Sequence, residues 1–213
     1  MTEQAVSANK NADMHGGMEA TAEDAARANT YALLGSLLAA PPSREVLTLL
    51  TQIDVAADDG ANDMAAAWAA LRLAGERAGP SDLEEEYHEL FVGLGRGEIV
   101  PYGSWYMTGF IMDRPLGVLR QDLAALGFER QEDIREPEDH AGALCETMSM
   151  IVSNGEAVGF DTQRKFFQDH IGPWMERFFR DLQNAKAARF YRAVGQFGEQ
   201  FMALEKRYLA MLV

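Results

Sequence analysis

Glu136-Pro137-Glu138-Asp139-His140 is the stretch of this sequence that says most about its fold. Proline fixes its own φ angle and has no N–H to donate, so Pro137 fits the first turn of a helix, where acidic residues also meet the positive end of the dipole. Apolar residues then recur at helical spacing, at Leu144, Met148, Ile151 and Val152. The stretch therefore predicts an amphipathic helix that Pro137 opens, with Asp139 and His140 on its first turn.

Two further segments lie upstream of this predicted helix. In the first, Leu83, Tyr87, Leu90 and Phe91 share one face of a helix that Ser81 or Asp82 is expected to cap. In the second, glycines and Pro101 interrupt the helical pattern, so residues 93–104 are predicted to form a loop. This loop is longer and more specific in composition than a simple connector, and we expect it to carry functional surface.

Helical periodicity extends over most of the remaining chain. Val, Ile and Thr are sparse, whereas Ala, Leu, Glu, Met and Arg dominate. We predict an all-α protein, a single-domain bundle of about nine or ten helices over residues 21–213, preceded by a disordered tail at residues 1–20. The other predicted helices are Thr21–Ala39, a helix from the cap Ser43 to Ile53, Met64–Arg77, a helix marked by Leu116 to Leu126 and closed by Gly127, Asp161–Ile171, one from Pro173 and one from Ala187.

The last of these helices carries an unbroken apolar pattern. Its apolar residues alternate steps of four and three, at Phe190, Val194, Phe197, Phe201, Leu204, Tyr208 and Met211. Such a pattern suits either a coiled coil between two chains or the long central helix of a bundle. Because the outward positions lack regular pairs of opposite charge, we favour the central helix.

Composition excludes several classes of function. The chain has 33 acidic and 19 basic residues, a formal charge of −14, which would repel phosphate backbones and anionic lipid surfaces. Nucleic acid is therefore not an expected partner. Stable membrane insertion is not expected either, because the longest apolar run, Tyr31–Ala40, is about half of the ~20 residues that a membrane-spanning helix needs. A single cysteine, Cys145, fits a reducing compartment, and we expect a cytoplasmic protein.

Reactive side chains do not converge into a catalytic or metal site. Glu85 and His88 have the i, i+3 spacing of di-iron helical bundles, but the sequence contains no second pair of this kind. Cys145 follows His140 by five residues, outside the alignment of one helix face, so a buried thiol is favoured over a nucleophile. A phosphate-binding Gly-Lys-Ser or Gly-Lys-Thr sequence is absent. We expect neither an enzyme nor a bound metal or cofactor.

Acidic clusters flank the predicted loop on both sides. Asp82 to Glu89 contains five acidic residues and no basic one, and Glu129 to Asp139 contains six acidic residues and two arginines. Charge runs of this kind usually form solvated surface. Around exposed Tyr102, Trp105 and Tyr106, however, an acidic rim would suit a peptide with arginines beside an apolar segment, because carboxylates and aromatic rings both bind guanidinium groups.

Taken together, these motifs resemble the TorD/DmsD family of cytoplasmic chaperones that mature molybdenum-containing redox enzymes. The resemblance covers about Thr21 to Val213 and rests on Glu86 to Gly93, Pro101 to Tyr106 and Glu136 to His140. Weaker support comes from the spacing of His170, Trp174 and Phe178. The resemblance implies an all-helical monomer or helix-swapped dimer that binds the twin-arginine signal peptide of the apo form of an enzyme subunit and delays export until the cofactor is in place.

The resemblance also implies a peptide-binding surface. The positions that match the family's surface are Tyr87, Leu90, Phe91, Pro101, Tyr102, Ser104, Pro137, Asp139 and His140. Two departures affect the loop: Val100 stands where many members have a proline, and Gly93-Leu94-Gly95 replaces Gly-Pro-Gly.

Three hypotheses remain open at this stage. Asp139 and His140 either contact the peptide or only hold the preceding loop. The alternative to a signal-peptide-binding chaperone is a helical adaptor that does not recognise signal peptides, and a third possible function is an enzyme with a carboxylate-bound metal. Peptide binding that depends on an arginine pair would distinguish the chaperone from the adaptor.

Overall fold

Helices make up about three quarters of the computed structural model, which describes residues 22–53, 63–93, 96–129 and 135–211. The tail predicted at residues 1–20 lies outside the described residues. Along the chain the helices are α1 (22–39), α2 (Arg44–Gln52), α3 (Asp63–Arg77), α4 (Pro80–Tyr87), α5 (Gly103–Thr108), α6 (Arg114–Ala125), α7 (Ala141–Ser153), α8 (Gly155–Val158), α9 (Phe160–Phe166), α10 (Met175–Asn184) and α11 (Phe190–Met211). π-Helical turns extend α4 through His88–Val92 and α9 through Phe167–Ile171.

The predicted all-α class is confirmed. Apart from the four-residue turn α8, the described residues form ten α-helices, and their β structure is limited to one isolated bridge between Tyr102 and His140. None of these helices is both long and apolar enough to cross a membrane.

Local sequence signals set most helix starts. The Ser43 side chain accepts a hydrogen bond from the N–H of Val46 and caps α2 as predicted. The start of α4 was predicted wrongly, because Gly79 is its N-cap and Pro80 its first residue. Proline tolerates this position since its missing N–H would have no partner there. Gly127 follows α6 with φ +81°, a conformation that glycine adopts without a steric penalty.

Helix α11 is the centre of the core, packed against α10 and α3. Phe197 is fully buried and lies 4.1 Å from Trp68 of α3, measured between ring centroids. The predicted central helix is confirmed over its first three turns. Further along, Leu204 and Met211 are exposed, and the buried positions are Glu205 and Leu209. The reason is that a straight helix has 3.6 residues per turn and drifts away from a strict heptad pattern.

A buried ion pair joins the two ends of the described chain. The guanidinium of Arg27 in α1 donates two hydrogen bonds to the carboxylate of Glu205, at 2.7 and 3.0 Å, and a third to Gln163 of α9 at 3.1 Å. Tyr208 covers the guanidinium, whose carbon lies 4.3 Å from the ring centroid. Arg27 also donates to the carboxylate of Asp24 at 2.7 Å. Burial lowers the pKa of Arg27, but the bonds to Glu205 and Asp24 outweigh it and leave the pKa above its ordinary value.

Candidate functional site

The Glu86–Gly93 motif anchors two distant parts of the chain. Glu86 is buried, and its carboxylate accepts hydrogen bonds from three backbone N–H groups at the start of α11, those of Arg189, Phe190 and Tyr191, at 2.7 to 3.1 Å. The hydroxyl of Tyr87 donates to backbone carbonyls at the end of α1. The motif therefore holds α1 and α11 in place beside the loop that follows it.

The loop is shorter than predicted. Helix α5 begins at Gly103, so Ser104 lies in a helix and not in the loop. Asp139 is the cause, because its carboxylate oxygen Oδ2 accepts the N–H of Ser104 at 2.7 Å and its backbone carbonyl accepts the N–H of Gly103 at 2.9 Å. A carboxylate at this position satisfies N–H groups that a helix start leaves unpaired.

The start of α7 also differs from the prediction. The helix begins at Ala141. Pro137 instead starts a turn, in which the N–H of His140 donates a hydrogen bond to the carbonyl of Pro137 at 3.0 Å. His140 is the N-cap, since its Nδ1 accepts the N–H of Gly142 at 3.1 Å. Asp139 and His140 thus precede the helix, and each caps a different one. Burial lowers the pKa of His140, although the carboxylates of Glu136 and Asp139 act in the opposite direction.

The aromatic residues at the end of the loop and in α5 are less exposed than expected. Tyr102, Trp105 and Tyr106 are all partly buried. Two arginines of the same chain cover rings here, with Arg96 4.4 Å from the Trp105 centroid and Arg177 5.7 Å from the Tyr106 centroid. The rings of Trp105 and Tyr106 therefore already have cationic partners, and the three aromatic residues do not form an open platform.

The Tyr102 ring lies against His140, and its hydroxyl donates a hydrogen bond to Glu136. Burial and the neighbouring Glu136 carboxylate raise the pKa of Tyr102. The hydroxyl therefore stays protonated and remains a donor. This contact fixes the side chain of Glu136 at the edge of a cavity.

That cavity, of about 800 Å³, is acidic at its rim and apolar inside, and we call it the acidic groove. It lies between α6 and α7 and includes Tyr87 and His140. Among the described residues, its acidic lining comprises the carboxylates of Glu129, Glu136, Glu138 and Glu146. Arg120 is also part of the lining, and its guanidinium pairs with Glu138 at 2.9 Å. Its apolar lining includes Leu123, Phe128 and Met150.

A second cavity, of about 670 Å³, lies on the other side of α6 and is mainly apolar. Ser104 and Asp139 line it, together with apolar residues such as Leu119, Leu144 and Trp174. The oxygen Oδ1 of Asp139 is buried and has no hydrogen-bond partner. We call this second space the apolar cavity.

The structure divides the nine residues predicted as a peptide-binding surface into three groups. Tyr87 and His140 line the acidic groove, whereas Ser104 and Asp139 line the apolar cavity. The other five line neither of these cavities. Three of the five are buried, namely Leu90, Pro101 and Pro137, and two are partly buried, namely Phe91 and Tyr102.

Sequence patterns alone missed part of the acidic groove. Glu146 and Met150 lie four residues apart on the outward face of α7, and both line the groove. Their spacing is visible in the sequence. It reads as an ordinary solvated helix face, because the position of α6 opposite them depends on contacts distant in the chain.

The other candidate chemistries find little support. Cys145 is buried, as predicted, and burial raises the pKa of its thiol, which disfavours a reactive thiolate. Among the residues that the structure describes, no three His, Cys, Asp or Glu side chains are grouped as a metal site requires.

Comparison with known proteins places the chain in a family. A family model described as nitrate reductase delta subunit matches residues 57–180, more than half of the sequence. The chain belongs to this family. The resemblance to the TorD/DmsD chaperones is confirmed by curated relatives of those names.

The curated relatives are distant in sequence. A chaperone protein TorD from Vibrio parahaemolyticus is 25% identical over 138 residues, which cover 60% of this chain and 64% of the relative. A Tat proofreading chaperone, DmsD, from Haemophilus influenzae is 28% identical over 123 residues, which cover 56% of this chain and 58% of the relative. The chain therefore matches less than two thirds of the length of these relatives.

A solved structure shares the fold of the present chain. The chain from Archaeoglobus fulgidus, described as a redox enzyme maturation protein, superposes with a TM-score of 0.54. The match covers 83% of the present chain and 93% of the other at 17% sequence identity, a level that shows the fold alone.

Proposed function

We propose that this chain is a cytoplasmic chaperone that binds the twin-arginine signal peptide of a molybdenum-containing oxidoreductase subunit, called the client below. In this proposal it assists cofactor insertion and delays export of the client until the cofactor is in place. The relatives named as chaperones support the general role. The observation that carries the peptide specificity is the acidic groove.

The charge of the groove favours a peptide with two arginines. Arg120 partly neutralises Glu138, and three further carboxylates among the described residues line the groove, those of Glu129, Glu136 and Glu146. Guanidinium groups bind carboxylates through paired, charge-assisted hydrogen bonds. Three carboxylates at one rim therefore suit adjacent arginines better than a single one.

The interior of the groove suits the apolar stretch that follows the arginines in such a signal peptide. Leu123, Phe128 and Met150 offer apolar surface beside the carboxylates. Met150 is 46% exposed, so a bound segment would remove apolar surface from water on both sides. Because a methionine side chain is flexible, it adapts to apolar residues of different shape.

Calorimetry with the signal peptide of a client and with an Arg-Arg to Gln-Gln version of it tests the proposal. We expect binding of the first peptide to weaken with salt, because exposed ion pairs are screened, and the second to bind more weakly. Glu146→Gln should weaken the arginine peptide by about 0.2 to 1 kcal/mol, the usual range for an exposed ion pair.

Glu84→Gln is the matched control, because Glu84 is also an exposed helical glutamate but does not line the groove. It should leave the affinity unchanged. Equal affinity for the Arg-Arg and Gln-Gln peptides would contradict the proposal and favour a helical adaptor that does not recognise signal peptides.

A further inference from the structure

Arg120 brings into the acidic groove the same chemical group that the groove is proposed to bind. Its guanidinium donates through Nε to the oxygen Oε2 of Glu138 at 3.0 Å, and Nη2 lies 2.9 Å from the same oxygen. Among the residues that the structure describes, Arg120 is the only arginine or lysine that lines the groove. The chain therefore supplies an arginine of its own to one carboxylate of the groove.

The Glu138 half of this pair is held in place by its neighbours in the chain. The N–H of His140 donates to the carbonyl of Pro137, and the carboxylate of Asp139 accepts the N–H of Ser104 at the start of α5. The side chain of Glu138, between these fixed residues, is 18% exposed. Leaving such a carboxylate without a partner costs more free energy than it does for a fully exposed one.

The Arg120 half of the pair can move without disturbing the fold. Its side chain is 47% exposed and lies on the same face of α6 as Leu123 and Ala124, which also line the groove. Arginine has a long, flexible side chain whose head group is readily solvated at a surface. Since an ion pair with a half-exposed partner is weak, Arg120 can exchange Glu138 for water at little cost.

An arginine of a bound peptide would compete with Arg120 for this carboxylate. Both groups are guanidinium ions and make the same hydrogen bonds to Glu138, so the exchange by itself changes the free energy little. The net attraction then comes from the other carboxylates of the groove. Arg120 stays beside the bound peptide, because it is part of α6, and it can bind Glu138 again when the peptide arginine moves away.

We propose that Arg120 is an internal competitor that regulates the acidic groove. It holds Glu138 until an arginine of the client displaces it, and its return to Glu138 speeds the release of the client. This inference rests on the proposed function, in which client arginines bind in the groove. A chaperone has to release its client, and a competitor built into the site shortens the lifetime of the complex without a second ligand.

The test compares two synthetic probe peptides, one with an Arg-Arg pair before a stretch of leucine and alanine and one with Gln-Gln in place of the pair. Arg120→Gln should bind the Arg-Arg probe about two- to fivefold more tightly than the unmodified protein does, the range that one exposed ion pair gives. Most of this change should lie in the dissociation rate, and affinity for the Gln-Gln probe should not change. Calorimetry measures the affinities, and stopped-flow fluorescence measures the dissociation rate.

Two controls separate competition for Glu138 from a change in net charge. Arg114→Gln removes the same charge from the same helix, but Arg114 lines the apolar cavity and not the groove, so the affinity at physiological salt should stay nearly unchanged. The double variant Arg120→Gln, Glu138→Gln keeps the net charge of the described groove lining and should bind the Arg-Arg probe about as tightly as the unmodified protein. If either control binds as tightly as Arg120→Gln, competition for Glu138 is refuted.

NMR of the Nε–H group of Arg120 follows the displacement directly. Its signal, assigned by its absence from the Arg120→Gln variant, should move towards that of a hydrated arginine when the Arg-Arg probe is added and stay in place with the Gln-Gln probe. A signal that does not respond to the Arg-Arg probe would overturn the displacement.

The affinities also show which of the two proposals fails. If the unmodified protein binds both probes equally, the proposed function fails, and the internal competitor fails with it. If the unmodified protein prefers the Arg-Arg probe but Arg120→Gln binds that probe no more tightly, only the internal competitor is refuted.

Discussion

At the scale of single residues, several acidic side chains of the motifs serve the fold. Glu86 lies in the run that the sequence predicts as an acidic rim, yet it binds backbone N–H groups of α11, 103 residues further along the chain. A clue was present, since Glu86 falls on the same helix face as Leu83 and Leu90, which are both buried. The identity of its partners was not available, because it depends on how α11 packs.

His140 combines a cap with a pKa that burial lowers, which gives a prediction about pH. A histidine whose folded pKa lies below its unfolded value of about 6.5 stabilises the fold above that pH and loses this contribution as the pH falls towards the folded pKa. Asparagine is a good N-cap and does not titrate. Between about pH 7 and pH 5, the unmodified protein should therefore lose more stability than His140→Asn does.

Urea unfolding at both pH values measures this difference, and the carboxylates common to the two proteins cancel in the comparison. If both proteins lose the same free energy of unfolding, His140 does not titrate differently in the folded and unfolded states. A loss larger in the variant would reverse the sign and contradict the burial of a neutral imidazole.

At the scale of helices, the approach of α10 to α11 depends on residues without side chains. A Cβ atom added at Gly198 would lie 2.3 Å from Cδ1 of Phe179, and one added at Gly195 would lie 2.7 Å from the carbonyl oxygen of the same residue. Phe179 is fully buried and cannot move into solvent. The two glycines thus set the distance between these helices.

Gly198→Ala should lower the free energy of unfolding by about 1 to 3 kcal/mol, because an overpacked core has to shift around Phe179. Gly117→Ala is the matched control in α6, where an added Cβ meets nothing within 4 Å. The control should be stabilising by up to about 1 kcal/mol, since alanine is the better helix former. Denaturant unfolding of both variants gives the two values. A Gly198→Ala protein as stable as the control would mean that α10 and α11 do not pack this closely.

At the scale of the whole molecule, the sequence predicted the helical class and the position of the central helix, because both depend on local periodicity. The acidic groove and the apolar cavity were not predicted as such, although the residues predicted to bind peptide include His140, which lines the groove, and Asp139, which lines the cavity. Their walls come from α6 and α7, and periodicity does not say which two amphipathic helices face each other. The predicted start of α5 was wrong because a distant side chain, that of Asp139, decides it. The starts of α4 and α7 were wrong although their caps, Gly79 and His140, are adjacent in the sequence.

The pair of Arg27 and Glu205 links α1 to α11 over 178 residues of sequence and offers a test of the assembled fold. Both side chains are buried, and Arg27 also pairs with the partly exposed carboxylate of Asp24 at 2.7 Å, so Glu205→Gln removes one of its two anionic partners among the described residues. Glu205→Gln should therefore lower the free energy of unfolding by about 1.5 to 3 kcal/mol, the range for a lost hydrogen bond to a charged group.

Replacing both partners separates the ion pair from the packing around it. The double variant Arg27→Met, Glu205→Leu keeps similar volumes and removes both charges of the pair, although Asp24 and Gln163 lose the bonds that they accept from Arg27. Apolar replacements of buried ion pairs are often neutral or stabilising, so most of the loss in Glu205→Gln should be regained. Urea unfolding of the single and double variants measures the recovery. If the double variant is less stable than Glu205→Gln, the pair itself stabilises the joint between α1 and α11 more than apolar packing can.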